Sequence, residues 1–381
     1  MEEAARAKRL PAVLIVAENG MAGGVSRYCV DVAAELGPIA EIACLCPEPC
    51  EAACWLSARC TERGIRLHPL TVPPRAWRRG VRGLRVLWRR QGRPVVHVNG
   101  RRGNAIAIAL RMAAPGFRYV TTVHGILGLH DRRNVLYRVI DLAAGWLAMS
   151  VIAVSADGHR ALLRAGSPRS RTVTITNGLA VADLARLGAV ARTRRPPGVD
   201  GVRFGFLGRL SPEKGTRDLA AIARILVDGS APATLDIAGE GEEGPWLAAQ
   251  VACLPHPQRI RFRGLITDIA SFLAQIDVLV MPSRNEGLPY ALLEGMAAGC
   301  TVVAYAVGGI PEVLDEPGLG VTVPPGDLAS LLDAVARLRG DPSGVAAMGK
   351  AAADRVARDF VLSRRREALL NAYRLADLAG D

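Results

Sequence analysis

Short apolar runs alternate with helical patterns along the chain, and this alternation constrains the fold more than any other feature. Between most runs of the first half, apolar residues recur at three- and four-residue steps. Short buried strands joined by helical crossovers form parallel sheets. We predict such strands at residues 12–17, 42–46, 95–98, 119–123, 151–154 and 173–175.

A second, similar series follows a break at residues 192–200, where charge, paired prolines and glycine indicate a linker. Its strands are predicted at residues 204–207, 234–238, 260–262, 278–281, 301–305 and 321–323. A chain of 381 residues with 50% hydrophobic content can bury two cores. We therefore predict an α/β protein with two facing Rossmann-like, doubly wound parallel-sheet domains. The predicted parts are a first domain over 1–188, a linker over 189–200, a second domain over 201–355 and a C-terminal helix over 356–381.

The sequence opens without a signal-peptide pattern, and its longest uncharged apolar run near the middle, residues 142–156, is shorter than the roughly 18 residues of a spanning helix. We therefore expect a cytoplasmic protein. Of its eight cysteines, five lie at positions 44, 46, 50, 54 and 60 without a second paired motif. Reduced, partly buried thiols are the favoured interpretation, and a zinc or iron–sulfur site is the alternative.

The net charge of +12 is concentrated in one segment, since twelve arginines and no acidic residue lie between positions 75 and 118. In the part bounded by Arg75 and Arg93, Trp77, Leu84 and Trp88 fall at helical spacing. This pattern is typical of a basic amphipathic helix on an anionic membrane. A crossover helix with one buried apolar face has the same spacing, so both interpretations stand. We expect no nucleic-acid partner, because no recognition motif accompanies the charge.

Glu286 and Glu294 have seven residues between them, around the predicted start of a helix that follows the strand at 278–281. The free N–H groups and positive dipole end of such a helix bind anions, most often phosphate. Two carboxylates beside an anion site suit a sugar nucleotide. Acidic residues also occur near helix starts for capping alone, and this alternative stands beside the first.

Arg209 and Lys214 flank the loop after the strand at 204–207. Lys214 is one of three lysines in a chain with 45 arginines, which favours a need for a compact ammonium there, with chance as the alternative. Two cations that face a diphosphate stabilise the charge that develops on a departing nucleotide.

Other predicted strand ends carry glycine-rich loops or a histidine. Gly23 and Gly24 close the loop after the first strand, Gly239 and Gly241 follow the strand at 234–238, and His124 ends the strand at 119–123. Glycine lets a backbone approach a ligand closely. Structural turns, and a structural hydrogen bond for His124, are the alternatives. The first loop lacks the GxGxxG pattern, which argues against a dinucleotide. Because ligands of such sheets bind beyond the carboxyl ends of the strands, we expect a substrate cleft between the two halves.

Together these motifs resemble the retaining GT-B glycosyltransferases of family 4 over nearly the whole chain. Glu286 and Glu294 are similar to the E-x7-E motif of that family, and Arg209 and Lys214 to its G-R-x4-K-G diphosphate clamp. The resemblance implies that Glu286 binds the hydroxyls of the donor sugar and Glu294 binds the ribose. It also implies a GT-B fold in which the C-terminal helix crosses back to the N-terminal domain.

The resemblance implies further donor contacts. His124 matches the family's V-H-G histidine, which contacts the donor sugar. Gly264 and Leu265 would lie near the base, and Tyr290 replaces the small residue or valine of many members. The remaining implied donor-binding residues are Gly23, Gly24, Gly239, Gly241, Gly287, Leu288 and Pro289.

The implied reaction moves a hexose from a nucleoside diphosphate to a hydroxyl acceptor with retention, and the departing diphosphate accepts the acceptor's proton on the same face. A UDP-hexose or UDP-N-acetylhexosamine is the expected donor, and GDP-mannose is second. The sequence has no Asp-x-Asp triplet, so we expect neither a metal nor another cofactor. The acceptor would be a lipid-linked glycan or a small-molecule aglycone. A nucleotide-sugar binding protein without turnover is the alternative outside the enzymes.

Overall fold

The computed structural model describes residues 12–18, 23–46, 54–73, 76–125, 135–194, 201–228 and 233–375. The chain divides into two compact units. The first comprises Met1–Thr176 together with Leu362–Asp381, and the second comprises Asn177–Val361.

The first unit is built on a seven-stranded sheet whose paired strands all run parallel. Its strands are β1 (Val13–Ala17), β2 (Ala40–Cys46), β3 (Leu67–Thr71), β4 (Val95–Asn99), β5 (Tyr119–Val123), β6 (Ser150–Ala153) and β7 (Thr172–Thr174). Their order is β3-β2-β1-β4-β5-β6-β7. Every residue of β1, β2 and β4 is buried, as in a parallel sheet that is covered on both faces.

Helices connect successive strands of this sheet. They are α1 (Gly24–Leu36), α2 (Cys54–Glu62), α3 (Trp77–Arg90), α4 (Arg101–Ala113), α5 (Val135–Leu147) and α6 (Ala156–Arg164). Leu84 and Trp88 of α3 and Leu110 of α4 pack against Leu14 and Val96 of the sheet. This burial of apolar area supplies the main stabilisation of the unit.

The second unit contains a six-stranded parallel sheet. Its strands are β8 (Val202–Leu207), β9 (Ala233–Ala238), β10 (Ile260–Gly264), β11 (Val278–Met281), β12 (Thr301–Tyr305) and β13 (Val321–Val323). Their order is β10-β9-β8-β11-β12-β13. The last three strands coincide with the predicted runs.

The helices of the second unit surround this sheet. They are α7 (Val181–Thr193), α8 (Thr216–Asp228), α9 (Gly244–Ala252), α10 (Ile269–Leu273), α11 (Tyr290–Ala297), α12 (Ile310–Val313), α13 (Leu328–Gly340) and α14 (Pro342–Asp359). Phe204 and Val280 of the sheet pack with Leu219 of α8 and Leu331 of α13 in one core.

The last described residues belong to the first unit. Helix α15 (Arg366–Tyr373) packs on β5 and β6, and the Ser150 hydroxyl donates to the Ala372 carbonyl at 2.9 Å. The chain over 356–375 is therefore not one helix: α14 ends at Asp359, a short 3₁₀ turn covers Leu362–Arg364, and α15 follows.

Two expectations about chain organisation differ from the structure. Strand β3 was not among the predicted runs, because it is a short edge strand with Pro69 and His68 inside it; proline is tolerated at a sheet edge. The units divide after Thr176, not after residue 188, because α7 packs on α10, α11 and α14 of the second unit. The predicted linker at 189–200 therefore begins inside α7, and its residues 195–200 lie outside the described part of the chain.

The arginine-rich helix α3 buries its apolar side in the first core. Leu84 and Trp88 are at most 3% exposed, as the crossover-helix interpretation requires. Arg75 lies outside the described residues, and Trp77 begins the helix with 55% of its surface exposed. Among the helices that the structure describes, none has the length and apolar character to cross a membrane.

Candidate functional site

Strands β8 and β11 lie side by side in the second sheet, although β9 and β10 separate them in sequence. The chain leaves β8 toward β9 on one side and leaves β11 toward β12 on the other. Between two such strands the connecting loops diverge, and a crevice opens beyond the carboxyl ends of the strands. The loop with Arg209 and Lys214 follows β8, and the loop with Glu286 follows β11, so both border this crevice.

Lys214 and Glu286 form an ion pair at the crevice. Lys214 Nζ donates to Glu286 Oε1 at 2.6 Å across 72 residues of sequence. The Lys214 side chain is 29% exposed and the Glu286 side chain is 8% exposed. The pair therefore lies in a partly desolvated place, where charge interactions are stronger than at an open surface.

Backbone contacts hold the two loops together. Gly215 has φ +72°, and a Cβ there would lie 1.9 Å from the Pro282 carbonyl oxygen, so only glycine fits. The Arg284 N–H donates to the Glu213 carbonyl at 2.9 Å. The Arg284 guanidinium contacts both carboxylate oxygens of Asp218 at 3.1 Å, in the first turn of α8. These contacts fix Lys214 and Glu286 relative to each other.

A third loop braces Glu286 from the other side. Gly308, after β12, has φ +56°, and a Cβ there would lie 2.1 Å from the Glu286 carbonyl oxygen. The next N–H, from Gly309, donates to the Gly287 carbonyl at 2.5 Å. Gly308 and Gly309 thus support the Glu286 backbone.

Helix α11 begins directly behind this loop, with Pro289 as its N-cap residue. No side chain in the described part of the chain caps it and its first turn has no acidic residue, so its first N–H groups are suited to an anion. Leu288 and Tyr290 are 4% and 6% exposed, so their side chains face the protein interior. The Leu288 carbonyl accepts from Asn177 Nδ2 at 2.7 Å.

Glu294 lies inside α11 and is 4% exposed. Gly295 beside it packs its helix tightly on β11, since a Cβ there would lie 2.6 Å from Leu279 Cδ2. The two glutamates thus lie in different settings. Glu286 is on the crevice loop in an ion pair, and Glu294 is on a buried helix.

The glycine loop after β9 packs on the loop after β8. A Cβ on Gly239 would lie 1.9 Å from the Gly208 carbonyl oxygen, and one on Gly241 would lie 2.2 Å from that of Leu210. The Gly239 N–H donates to the Gly264 carbonyl at 2.8 Å. Gly239 and Gly241 therefore allow the two loops to pack closely, and their contact with the donor stays a prediction.

Two predicted donor residues remain open to solvent in the second unit. Leu265 is 64% exposed at the end of β10. Arg209 is exposed and forms no hydrogen bond or ion pair with another described residue. Both are accessible to a ligand, and Arg209 keeps its full donor capacity.

In the first unit, Gly23 and Gly24 begin α1 beyond the end of β1, and both are exposed. Among the described residues, no side chain caps this helix, and a Cβ on Gly23 would meet no described atom within 4 Å. Residues 19–22 of this predicted loop lie outside the described part.

Glu18, which starts the loop, accepts from the Gly103 N–H at 2.8 Å and thereby caps α4. Burial raises the pKa of the Glu18 carboxyl.

His124 follows β5 and is held by two neighbours. Its Nε2 lies 2.9 Å from Asn99 Oδ1, and its ring meets the edge of the Tyr28 ring at 4.6 Å between centroids. A carbonyl oxygen only accepts, so Nε2 carries the proton and Nδ1 is left as an acceptor. Burial, followed by the charge of Arg365, lowers the pKa of His124 to about 4, so the ring is neutral at pH 7.

A buried network lies behind His124. His97 Nε2 lies 2.7 Å from Thr122 Oγ1, and Tyr28 Oη lies 3.1 Å from the same hydroxyl. His97 Nδ1 lies 2.7 Å from the hydroxyl of Tyr373, in α15. Burial, with the charges of His124 and Arg365, lowers the pKa of His97 to about 3. His97 is therefore a neutral core histidine, which sequence reasoning did not single out.

No metal-binding cluster is found in the described part of the chain, where no three His, Cys, Asp or Glu side chains are placed to share an ion. Among the described cysteines, Cys44 and Cys46 are buried, with their sulfur atoms 3.2 Å apart. Cys50 lies outside the described residues.

Sequence reasoning missed several residues that hold the site. Asn99 could have been found, since it ends β4 as His124 follows β5. Asp218, Arg284 and Tyr28 gave no signal, because each acts on a residue that is distant in sequence. Their roles depend on contacts that no local pattern encodes.

Two family models match the chain in succession. The model described as "Glycosyl transferase 4-like domain" matches residues 23–178, and the model described as "Glycosyl transferases group 1" matches residues 201–341. The second match contains the crevice with Lys214 and Glu286, and the first contains His124.

Curated relatives are similar over part of their length. The glycogen synthase of Mycobacterium tuberculosis is 31% identical over 265 residues, which are 67% of this chain and 62% of that protein. The 2-deoxystreptamine glucosyltransferase of Streptomyces kanamyceticus is 32% identical over 166 residues, 43% of either chain. The chain thus spans less than the full length of both relatives.

Solved structures share the fold. The crystal structure of Anabaena HepE in complex with UDP and glucose superposes with a TM-score of 0.77 at 20% identity, over 96% of this chain and 99% of that one. At this identity the likeness establishes the arrangement of strands and helices that is called GT-B.

Proposed function

The chain belongs to the glycosyl transferases of group 1 with a GT-B fold, and on this premise we propose that it transfers a sugar from a nucleoside-diphosphate donor to a hydroxyl acceptor. The observation that carries the proposal is the Lys214–Glu286 ion pair at the crevice between β8 and β11. A cation, a carboxylate and an uncapped helix start are the groups that a sugar diphosphate needs.

The donor would lie across this crevice. Arg209, Lys214 and the N–H groups at the start of α11 would neutralise the diphosphate. Glu286 would accept hydrogen bonds from hydroxyls of the transferred sugar, and Glu294 would bind the ribose. Gly264 and Leu265 would lie near the base, with Gly287, Leu288, Pro289 and Tyr290 forming the wall. Because Leu288 and Tyr290 have buried side chains, their contribution would come from the backbone.

In the first unit, Gly23 and Gly24 would contribute the N–H groups at the start of α1. His124 would contact the donor sugar through Nδ1, the ring nitrogen that its bond to Asn99 leaves free of a proton. The neutral ring can accept a hydrogen bond from a sugar hydroxyl without repelling the positive charge that develops on the sugar.

A UDP-hexose or UDP-N-acetylhexosamine is the proposed donor. The supporting facts are that HepE, which shares the fold, is solved with UDP and glucose, and that a relative is a glucosyltransferase. GDP-mannose is the second candidate. A binding protein without turnover is the alternative outside the enzymes, and release of free nucleoside diphosphate from donor and acceptor separates the two.

We propose that transfer retains the anomeric configuration and needs no metal. The bond from the sugar C1 to the diphosphate oxygen breaks while the acceptor oxygen bonds to C1 on the same face. The acceptor's proton passes to the departing diphosphate. The protein's part is to hold the diphosphate and stabilise its growing charge, chiefly through Arg209, Lys214 and α11.

A thermal-shift panel of UDP, GDP, ADP and their sugars without metal tests the donor site. A ligand at 100 times its Kd adds about 2.7 kcal/mol of stability. We expect the UDP compounds to raise Tm, and a panel without any shift would refute the site assignment.

Assay with a chelator tests metal independence. Activity should survive excess EDTA, because the cationic side chains take the place of an ion. Loss of all activity in EDTA with recovery on adding magnesium or manganese would refute this part of the proposal.

Peripheral membrane contact, which would suit a lipid-linked acceptor, is proposed for the outer face of α3. The exposed arginines on this helix and just after it form no ion pair with a described residue, and they are Arg78, Arg79, Arg82, Arg89, Arg90 and Arg93. Since the apolar side of α3 is buried, attraction would come from charge and not from insertion of the helix. An arginine near an anionic lipid surface contributes about 1 kcal/mol.

Vesicle sedimentation tests this contact. The protein should bind vesicles with phosphatidylglycerol and not phosphatidylcholine alone, and the variant R82Q/R89Q should bind about tenfold or more weakly. The matched control R224Q/R337Q removes two exposed arginines of the second unit and should bind as the original. Equal binding of all three would refute the assignment to α3.

A further inference from the structure

Lys214 and Glu286 are both assigned to the donor, yet in the structure they bind each other. Their 2.6 Å contact takes one of the hydrogens of the Lys214 ammonium and one oxygen of the Glu286 carboxylate. A carboxylate that is 8% exposed is costly to leave without a partner. Whatever draws Lys214 away must therefore be matched by a new donor to Glu286.

We propose that Glu286 exchanges two partners during the reaction, the hydroxyls of the donor sugar and the Lys214 ammonium, and so makes the protein hold the sugar nucleotide more tightly than the bare nucleoside diphosphate. This inference rests on the proposed function. When the sugar is present its hydroxyls satisfy Glu286, and Lys214 turns to the diphosphate. When the sugar has been transferred, Glu286 recaptures Lys214 and the diphosphate loses one of its cations, which promotes product release.

The surroundings favour such an exchange by side-chain motion alone. Gly215 against Pro282, and Gly308 against the Glu286 carbonyl, fix the backbone of both loops. The long, flexible stem of Lys214 can rotate where these loops cannot. This explains a lysine at this position in a chain with 45 arginines, since the planar guanidinium of arginine holds a carboxylate in a fixed bidentate contact.

Arg209 differs from Lys214 in this respect. It is exposed and has no partner among the described residues, so its charge is available to a diphosphate with or without a sugar. The two cations therefore have distinct roles. Arg209 binds the diphosphate whether or not the sugar is present, and Lys214 binds it only when the sugar hydroxyls occupy Glu286.

Calorimetric titration with UDP alone and with UDP-glucose tests the exchange on the full chain. Glu286→Gln should bind UDP about fivefold or more tightly than the original protein, because Lys214 is released to the diphosphate. The affinity of this variant for UDP-glucose should stay the same or decrease, because the glutamine amide replaces the carboxylate that accepts hydrogen bonds from the sugar hydroxyls. The ratio of the two dissociation constants is thus the readout.

Two matched variants separate the exchange from a general charge effect. Glu213→Gln removes an exposed carboxylate from the same loop and should leave both affinities unchanged. In the background of Lys214→Met, Glu286→Gln should no longer tighten UDP binding, because its partner is gone. Equal UDP affinity in the original and Glu286→Gln proteins, or the same gain with and without Lys214, would overturn the inference. Failure of every protein to bind UDP, UDP-glucose, GDP or GDP-mannose would instead refute the proposed function, and the inference with it.

Discussion

Glu286 and Glu294 show how much two residues of one motif can differ. Glu286 lies on a loop that three glycine contacts and Arg284 hold in place, and its carboxylate meets a cation. Glu294 is 4% exposed on helix α11, where its side chain has little freedom. An ion-paired carboxylate at the crevice suits the part of the ligand that reacts, and a carboxylate within a buried helix suits the part that stays bound.

Isosteric substitution of the two glutamates should separate these roles. Glu286→Gln should lower kcat by about 100-fold, as loss of a charged group at the reacting centre does. Glu294→Gln should mainly raise the KM for the donor, with kcat within about fivefold. Steady-state kinetics with a coupled nucleoside-diphosphate assay measures both, with Tm as the control for folding. Small effects from both would restore the interpretation of the pair as simple helix-start residues.

At the scale of elements, α7 is tied to the second sheet by Arg194, the residue directly after the helix. Arg194 donates to the carbonyls of Leu273 and Ala298 at 2.8 and 2.7 Å, and also to that of Ile276. These carbonyls end α10 and α11 or precede β11, so one guanidinium joins three elements. A planar group with five donors can do this, and a lysine ammonium cannot reach all three.

Arg194→Ala should therefore destabilise the second unit by about 2–4 kcal/mol, because it leaves buried carbonyls without donors. Arg194→Lys should recover only part of this loss. Urea unfolding followed by tryptophan fluorescence and by circular dichroism measures the change. A loss below about 0.5 kcal/mol for the alanine variant would show that water replaces the guanidinium.

At the scale of the whole molecule, the chain completes the first unit with its last described residues. Arg365 Nε lies 2.7 Å from Glu35 Oε1, and Tyr373 reaches His97 beneath His124. Helix α15 thereby supports the His124 side of the first unit although it is the last helix of the described chain. Stability of the first unit and the position of His124 are linked through this buried network.

This linkage gives a pH dependence with a definite sign. His97 and His124 have folded-state pKa values of about 3 and about 4, below the ordinary value of about 6.5. Below pH 6.5 these two histidines bind more protons in the unfolded chain than in the folded one, so their contribution to stability falls as pH decreases from about 6.5 toward 4, by up to about 1.4 kcal/mol per pH unit for each histidine. Above pH 6.5 these two groups should have no effect.

Urea unfolding at several pH values measures this slope. His97→Gln should reduce the dependence of the unfolding free energy on pH by up to about 1.4 kcal/mol per pH unit, the contribution of one histidine. This holds even if the variant is less stable at pH 7. His256→Gln, which removes an exposed histidine, should leave the slope as it is. An unchanged slope in His97→Gln would show that carboxylates alone set the acid limit.

Local patterns predicted the elements well and their contacts poorly. Every predicted strand is present, because buried parallel strands are short continuous apolar runs. Strand β3 was not predicted, because an edge strand needs fewer apolar residues than a central one. The boundary between the two units was predicted at residue 188 and not at Thr176, because the sequence of α7 does not show on which unit the helix packs. Gly239, Gly241 and Gly308 also let one loop pack closely on another, a contact that no local pattern predicts.

The sequence by itself determined the alternation of strands and helices, the glycine and charged residues at strand ends, and the family. Secondary-structure propensity and hydrophobic periodicity depend on residues that are close in sequence, so both can be identified from the sequence alone. Only the tertiary structure decided that β8 pairs with β11, which brings Lys214 to Glu286 across 72 residues, and that α15 closes the unit that carries His124. Strand order depends on how whole faces of helices and sheets pack against one another. The free energy of this packing comes from contacts between segments that are distant in sequence, so no single segment determines it.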